Sequence, residues 1–145
     1  MISVRPIQSE DFSIWLPLWQ GYLDFYEVEI SDEVTRFTFD RLNKSGSSMF
    51  GALAVTETEE AVGLVHWLLH PGTWSKNLSC YLEDLFVDGR FRGQGAGRAL
   101  IAHVNEWATA RDVAKMYWLT AESNDTAQHL YDRVAHKTGF IHYQI

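Results

Sequence analysis

Apolar positions recur with two periods along the chain, and these periods predict an alternation of strands and helices. Runs of apolar residues without helical spacing predict six strands, whereas spacings of three and four residues predict four helices. The expected strands cover residues 2–6, 49–56, 61–69, 78–87, 116–121 and 140–145.

The four helices each show an apolar face and a starting signal. The first is expected to start at Ser9, and Pro17 should kink it or split it in two, because proline removes a backbone donor. The second is expected to start at Ser31-Asp32-Glu33, the third covers residues 98–111, and the fourth starts at Asn124.

The resulting order is β-α-α-β-β-β-α-β-α-β, with no linker or repeat dividing the 145 residues. This order predicts a single domain over residues 1–145 in the α/β (α+β) class, with helices on both faces of a mixed sheet. An apolar content of 46% is enough to build a core, and no apolar run reaches the ~18 residues of a membrane span.

Charge and cysteine content limit the functions to consider. A net charge of −7 argues against nucleic acid as a partner and suits a cationic substrate, although solubility alone also explains it. No leader is visible at the N-terminus, and the lone Cys80 cannot form an intramolecular disulfide, so a cytoplasmic location is the default expectation. His66 and His70 lack partners at metal spacing, so we predict no metal site.

A glycine-rich loop lies between the fourth strand and the third helix. It reads Arg92-Gly93-Gln94-Gly95-Ala96-Gly97, followed by Arg98. Glycines allow a positive φ and a close approach of the backbone, and the helix start adds free N–H groups, so the loop suits a pyrophosphate.

Two common phosphate loops do not fit this one. A P-loop needs Gly-Lys-Ser/Thr at its end, where this chain has Gly97-Arg98. A dinucleotide fold needs GxGxxG after the first strand and an acidic residue about 20 positions later, whereas this loop follows the fourth strand and is succeeded by Met116, Tyr117 and Trp118.

The loop resembles the [RQ]xxGx[GA] motif of the GCN5-related N-acetyltransferase (GNAT) family. The likeness extends to the strand before the loop, to the later helix with Asn124, Ala127, Leu130 and Tyr131, and to Gly139-Phe140. It covers residues 49–145 closely and the first 48 by helix order. One departure is the segment between Tyr131 and Gly139, which is about one helical turn longer than in most members.

The resemblance implies a mostly antiparallel, twisted sheet of six to seven strands and acetyl-CoA as cosubstrate. It implies that the backbone of Leu85, Phe86 and Val87 binds the pantetheine arm, with Asn124 orienting that arm or the helix start. The pyrophosphate would be held by Arg92, Gly93, Gln94, Gly95, Ala96, Gly97 and Arg98. Tyr131 would act as general acid toward the leaving thiolate, although its apolar neighbours leave a core role open.

The acceptor site is expected around Glu83 and Asp84, which stand inside an apolar strand and resemble the corresponding pair of polyamine acetyltransferases. Glu83 would be the base or the amine ligand. Strand alternation predicts that the two carboxylates point to opposite faces. An aromatic wall on the first helix, including Tyr22 and Tyr26, could contact an ammonium group, although such stripes are more often core.

We therefore predict an N-acetyltransferase that acts on a primary amine by direct attack in a ternary complex. The expected acceptor is a small polyamine or an amino-acid-like amine, as in the small polyamine- and histone-type branch of the family. A protein lysine as acceptor and a non-catalytic acyl-CoA sensor remain alternatives. Family members often dimerise, so a homodimer is also expected, through the edge of the last strand.

Overall fold

The computed structural model describes residues 1–145 in full and contains one five-stranded sheet in the order β1-β2-β3-β4-β5. The first four strands pair antiparallel, and β5 pairs parallel to β4. The strands are β1 (Ser3–Pro6), β2 (Met49–Val55), β3 (Ala61–His70), β4 (Ser79–Val87) and β5 (Met116–Tyr117). The predicted mixed, mostly antiparallel fold is confirmed, with five strands instead of six to seven.

Helices cover both faces of this sheet, as the alternation predicts. They are α1 (Phe12–Phe25), α2 (Asp32–Asn43), α3 (Ala96–Ala110) and α4 (Asp125–Val134). One core lies between α3 and the sheet around Leu100 and Val104, with α4 packed at its border. The other lies between α1, α2 and the sheet around Trp15, Phe39 and Leu64. The sheet therefore separates an α3–α4 face from an α1–α2 face.

The first helix is not split at Pro17, contrary to one of the two outcomes predicted for it. It runs without interruption from Phe12 to Phe25 with Pro17 inside. A proline near the start of a helix costs one backbone hydrogen bond. Trp15, Leu18 and Trp19, which are buried on either side of it, anchor both parts of the helix to the same core.

Two strand predictions near the C-terminus are wrong. The strand expected over residues 116–121 is formed only at Met116 and Tyr117, and residues 140–145 form no strand. Because β5 is only two residues long, it offers almost no backbone ladder for a further strand. Phe140, Ile141 and Tyr143 are accordingly exposed. No helix of the chain combines the length and apolar character needed to cross a bilayer.

Candidate active site

A bulge in β4 creates the acidic part of the candidate site. His66 of β3 pairs with Asp84 whereas the next residue, Trp67, pairs with Leu82, so Glu83 is an extra residue without a partner on β3. A bulge interrupts the alternation of side chains along a strand. Glu83 and Asp84 consequently line the same cavity on the α1–α2 face, and the predicted opposite orientation is wrong.

Asp84 is held by a buried histidine. The Trp15 indole N–H donates to His66 Nε2 at 3.0 Å, so this nitrogen carries no proton and His66 is neutral. Nδ1 must then carry the proton and donate it to Asp84 Oδ2 at 2.9 Å. His66 is only 2% exposed, which fixes the carboxylate rigidly. His66 is part of the core, and it also orients a candidate site residue, which the sequence did not reveal.

The acidic pair borders a cavity of about 490 Å³ between α1, α2 and the sheet. Burial, followed by the neighbouring charge of Asp84, raises the pKa of Glu83. A carboxylate with a raised pKa is a better proton acceptor near neutral pH than an ordinary one. The cavity volume lies within the range typical of small-molecule sites.

Aromatic rings of α1 form one wall of this cavity. Trp19 stacks on Trp15 and on Tyr22, with ring centroids 5.7 and 5.3 Å apart, and Tyr26 follows 5.1 Å from Tyr22. Burial and the charge of Asp84 raise the pKa of both Tyr22 and Tyr26, so both phenols stay protonated. Tyr22 and Tyr26 therefore line the same cavity as the acidic pair, and their contact with an ammonium group stays a prediction.

On its other side, β4 has an open backbone edge. Pairing with β5 stops at Tyr81, and the rest of β4 has β3 as its only neighbouring strand. The Asp88 N–H donates to Val62 O on β3. Backbone groups of every second residue in a strand face the same neighbour, so the N–H and C=O of Phe86 also face β3. The backbone groups of Leu85 and Val87 face the open edge, where Val87 O accepts from Arg92 Nε at 3.4 Å. The Phe86 backbone thus pairs with β3, whereas the Leu85 and Val87 backbones are exposed at the edge; the binding of a pantetheine arm by these residues stays a prediction.

The glycine loop follows at the end of this edge. Gly93 and Gly95 adopt φ values of +79° and +85°, and no atom lies within 4 Å of where a Cβ would stand on either residue. The N–H groups of Ala96, Gly97 and Arg98 have no acceptor within the chain, since the first bond at this end of α3 runs from Ala99 to Gly95. Such free donors at a helix start suit an anionic group.

The arginines around the loop differ in their availability. Arg90 is paired with Asp88, with Nη2 and Oδ2 2.8 Å apart, and lies 3.7 Å from Glu60. The Arg90 guanidinium is therefore already engaged with carboxylates of the chain. Arg92 and Arg98 form no ion pair with a carboxylate of the chain, and the Arg92 guanidinium lies 6.0 Å from the Phe25 ring.

The two candidate site residues Asn124 and Tyr131 lie at the start of and within α4, the helix that follows β5. Asn124 Oδ1 accepts from the Ala127 N–H at 3.2 Å and caps the helix. The Tyr131 ring packs edge-on against Trp118 with centroids 5.4 Å apart. Burial, followed by the proximity of Tyr26, raises the pKa of Tyr131 to about 12. Tyr131 thus lies beside Trp118 and near Tyr26, the C-cap residue of α1, and it stays protonated near neutral pH.

Comparison with known proteins now identifies the family. The sequence model described as "Acetyltransferase (GNAT) family" matches residues 13–136. The chain belongs to the GNAT acetyltransferase family. A D-amino-acid N-acetyltransferase of Saccharomyces cerevisiae is 37% identical over 144 residues, covering 99% of this chain and 89% of the relative. The expectation of an acetyl-CoA-dependent N-acetyltransferase is confirmed at this level.

Solved GNAT structures show the same fold at low sequence identity. A ribosomal-protein-alanine N-acetyltransferase of Brucella melitensis biovar Abortus 2308 superimposes with a TM-score of 0.82 at 18% identity, covering 100% of this chain and 99% of the other. The aminoglycoside acetyltransferase AAC(6')-Iy, in complex with a CoA-containing bisubstrate analogue, gives 0.87 at 17% identity, with 100% and 97% coverage.

The positive group of the GNAT cavity was among the lining residues that sequence reasoning missed. Arg41 on α2 borders the cavity together with Glu83 and Asp84. An arginine on an amphipathic helix carries no local signal of a binding role, because an exposed face is charged in any case. No group of three or more His, Cys, Asp or Glu side chains is arranged to hold a metal ion.

Proposed function

We propose that this GNAT protein transfers an acetyl group from acetyl-CoA to the primary amine of a small acceptor bound in the cavity between β4, α1 and α2. The observation that carries the proposal is the bulge at Glu83. The bulge directs the carboxylates of Glu83 and Asp84 into the same cavity. It lies close to the point where β4 stops pairing with β5 and presents an open backbone edge. An amine at the carboxylates and a thioester along the edge are thereby brought together.

The cofactor would be bound mainly by backbone groups. Leu85 and Val87 can pair with the amides of the pantetheine arm as an added strand would. The N–H groups at the start of α3, with Gln94 and the unpaired Arg92 and Arg98, suit the pyrophosphate. Asn124 would act here indirectly, by fixing the start of α4 and hence the position of Tyr131.

Glu83 would remove the proton that prevents the amine from attacking. An alkylammonium of pKa near 10.4 is neutral in only about one molecule in two thousand at pH 7, a deficit of roughly 4–5 kcal/mol. Asp84, oriented by His66, would hold the ammonium while Glu83 accepts its proton, directly or through water. Desolvation in the aromatic cavity lowers the cost of the neutral amine further.

Tyr131 would protonate the leaving group. In the transfer, the amine nitrogen forms a bond to the acetyl carbon, the carbon–sulfur bond breaks, and the sulfur takes a proton from the phenol. The raised pKa keeps this proton in place across the physiological range. The amine and the thioester react directly, so no acetylated side chain of the protein is needed.

Amino-acid-like amines are the acceptors best supported within this chemistry, because the yeast relative is named for D-amino acids. The polyamine acceptor predicted from the sequence lacks such support. A protein lysine is the second candidate acceptor; the Brucella enzyme with the same fold is named for an alanine of ribosomal proteins and lends lysine no support. The homodimer and the cytoplasmic location stay predictions from sequence resemblance and composition.

Release of free thiol from acetyl-CoA across an amine panel tests the proposal. The panel contains amino acids of both hands, simple alkylamines, spermidine and a lysine-containing peptide. We expect turnover with at least one small amine, and a mass increase of one acetyl group on that amine. Tight acetyl-CoA binding without turnover on any member would instead support the acyl-CoA sensor.

A further inference from the structure

The cavity holds charges of both signs, and this feature is not explained by amine binding alone. Glu83 and Asp84 provide two negative groups on one side, and Arg41 of α2 provides one positive group in the same cavity. His66, the other titratable group besides the tyrosines, is neutral because its Nε2 accepts from Trp15. The site therefore has a cationic and an anionic part.

Arg41 is available for a ligand. Its guanidinium forms no ion pair with a carboxylate of the chain, whereas Arg36 on the previous turn of α2 is paired with Asp40 at 3.4 Å. Its Cζ lies 4.9 Å from the centroid of the Phe37 ring, which is exposed. Arg41 is nevertheless close enough to Glu83 for its charge to lower the pKa of that carboxyl. The guanidinium and the acidic pair thus share one cavity without contacting each other.

We infer that Arg41 binds the carboxylate of a zwitterionic acceptor, so that the site selects an α-amino acid with an apolar side chain. The ammonium group would face Glu83 and Asp84, and the carboxylate would face Arg41. A guanidinium matches a carboxylate through two parallel hydrogen bonds. A polyamine offers only positive groups, and Arg41 repels the second of them. This inference rests on the proposed acetyl transfer and adds the class of acceptor and the residue that selects it.

The remaining wall of the cavity decides the side chain of the amino acid. Leu23, Val28, Ile30 and Met49 border the site together with the aromatic rings of α1. These groups offer no partner for a third charge, and burying an unpaired charge is costly. Leucine and phenylalanine therefore fit the site better than lysine or glutamate.

The test compares leucine, in both hands, with 3-methylbutylamine, which lacks only the carboxylate. For the native protein, kcat/KM for the better hand of leucine should exceed that for the amine by about tenfold or more, the effect of a charge-assisted hydrogen bond. Arg41→Met should lower kcat/KM for leucine by about 10- to 100-fold, mainly through KM, and change that for the amine by less than about twofold. Arg41→Lys should recover part of the loss.

Arg36→Met is the matched control, since it removes a paired arginine from the same helix outside the cavity and should leave both substrates unaffected. Equal kcat/KM for leucine and the amine in the native protein, equal losses for both in Arg41→Met, or a preference for spermidine would each overturn the role of Arg41. In all three cases acetyl transfer itself still stands. Absence of thiol release with every amine would overturn the proposed function instead.

Discussion

The two sides of β4 recognise their ligands by different means. At the open edge toward α3, the groups on offer are backbone N–H and C=O groups of Leu85 and Val87 and the free N–H groups at the start of α3. On the bulged face toward α1 and α2, side chains form the site, namely Glu83, Asp84, Arg41 and the aromatic wall. One strand thus presents a main-chain site and a side-chain site a few residues apart.

This difference has a consequence for specificity. A main-chain site depends on backbone geometry, so most side-chain substitutions leave it intact and the same cofactor fits many sequences. A side-chain site changes with each substitution. We therefore expect changes on the α1–α2 face to alter the acceptor, and changes in the glycine loop to alter the cofactor.

The largest effect is expected from Glu83→Gln, which removes the proposed base and keeps the shape of the cavity. We expect kcat/KM for the acceptor to fall by about 10²- to 10³-fold, the usual contribution of a general base. The dissociation constant of acetyl-CoA should stay unchanged, as isothermal titration can show. Because burial raises the pKa of Glu83, the native protein should lose activity as pH falls through that raised value, and this acidic limb should be absent in the variant.

Glu33→Gln, at the exposed start of α2, serves as the control for a lost carboxylate. If Glu83→Gln keeps full kcat/KM and the acidic limb, Glu83 is not the base.

Tyr131→Phe should slow the chemical step, in which the proposed role of Tyr131 is to protonate the leaving thiolate. Without the phenol proton, kcat should fall by roughly 10²-fold, while binding of both substrates is preserved. With a Tyr131 pKa of about 12, native activity should show no alkaline limb from this group below pH ~10. An unchanged kcat in the variant would assign Tyr131 to the core alone.

Gly93→Ala should weaken the main-chain site in isolation. A side chain at φ +79° strains the backbone by about 1–2 kcal/mol and places a methyl group in the expected cofactor space. We expect the dissociation constant of acetyl-CoA to rise by about tenfold, a change of 1.4 kcal/mol, with the preference among amines unaltered.

Gly46→Ala is a closely matched control. Gly46 lies at φ +80° with open space around it, in the loop between α2 and β2. In thermal unfolding, Gly46→Ala should lower the stability of the fold by the same amount as Gly93→Ala. It should leave the affinity for acetyl-CoA unchanged. Equal effects of both variants on affinity would argue against a cofactor at the glycine loop.

The smallest effect concerns stability. A carboxyl whose pKa is raised in the folded protein contributes stability at low pH that is lost as pH rises through the folded pKa. Glutamine does not ionise, so Glu83→Gln avoids the stability that the native protein loses when Glu83 becomes charged. The variant should therefore have a higher melting temperature than the native protein at pH 7, and this difference should shrink toward pH 4. A lower melting temperature of the variant at pH 7 would mean that Glu83 stabilises the fold.

The same contrast explains what could be predicted from the sequence. Gly93 to Gly97 form a local motif, so the loop alone indicated a pyrophosphate, and the resemblance of residues 49–145 to the GNAT family implied that acetyl-CoA carries it. The bulge at Glu83 depends on register against His66, and the positions of Arg41 and His66 depend on packing of α2 and β3; none of these has a local signal. The strand expected over residues 140–145 failed for a related reason, since its apolar pattern could not reveal that β5 would be only two residues long.

The central claim is that β4 presents a main-chain site for the cofactor at its open edge and a side-chain site for the amine on its α1–α2 face. A crystal structure with CoA and the acceptor amine bound together tests this claim most directly. The account predicts that the pantetheine amides lie within hydrogen-bond distance of Leu85 and Val87 backbone atoms, and that the amine lies at Glu83 and Asp84. A cofactor away from this edge, or an amine bound outside the α1–α2 cavity, would contradict it.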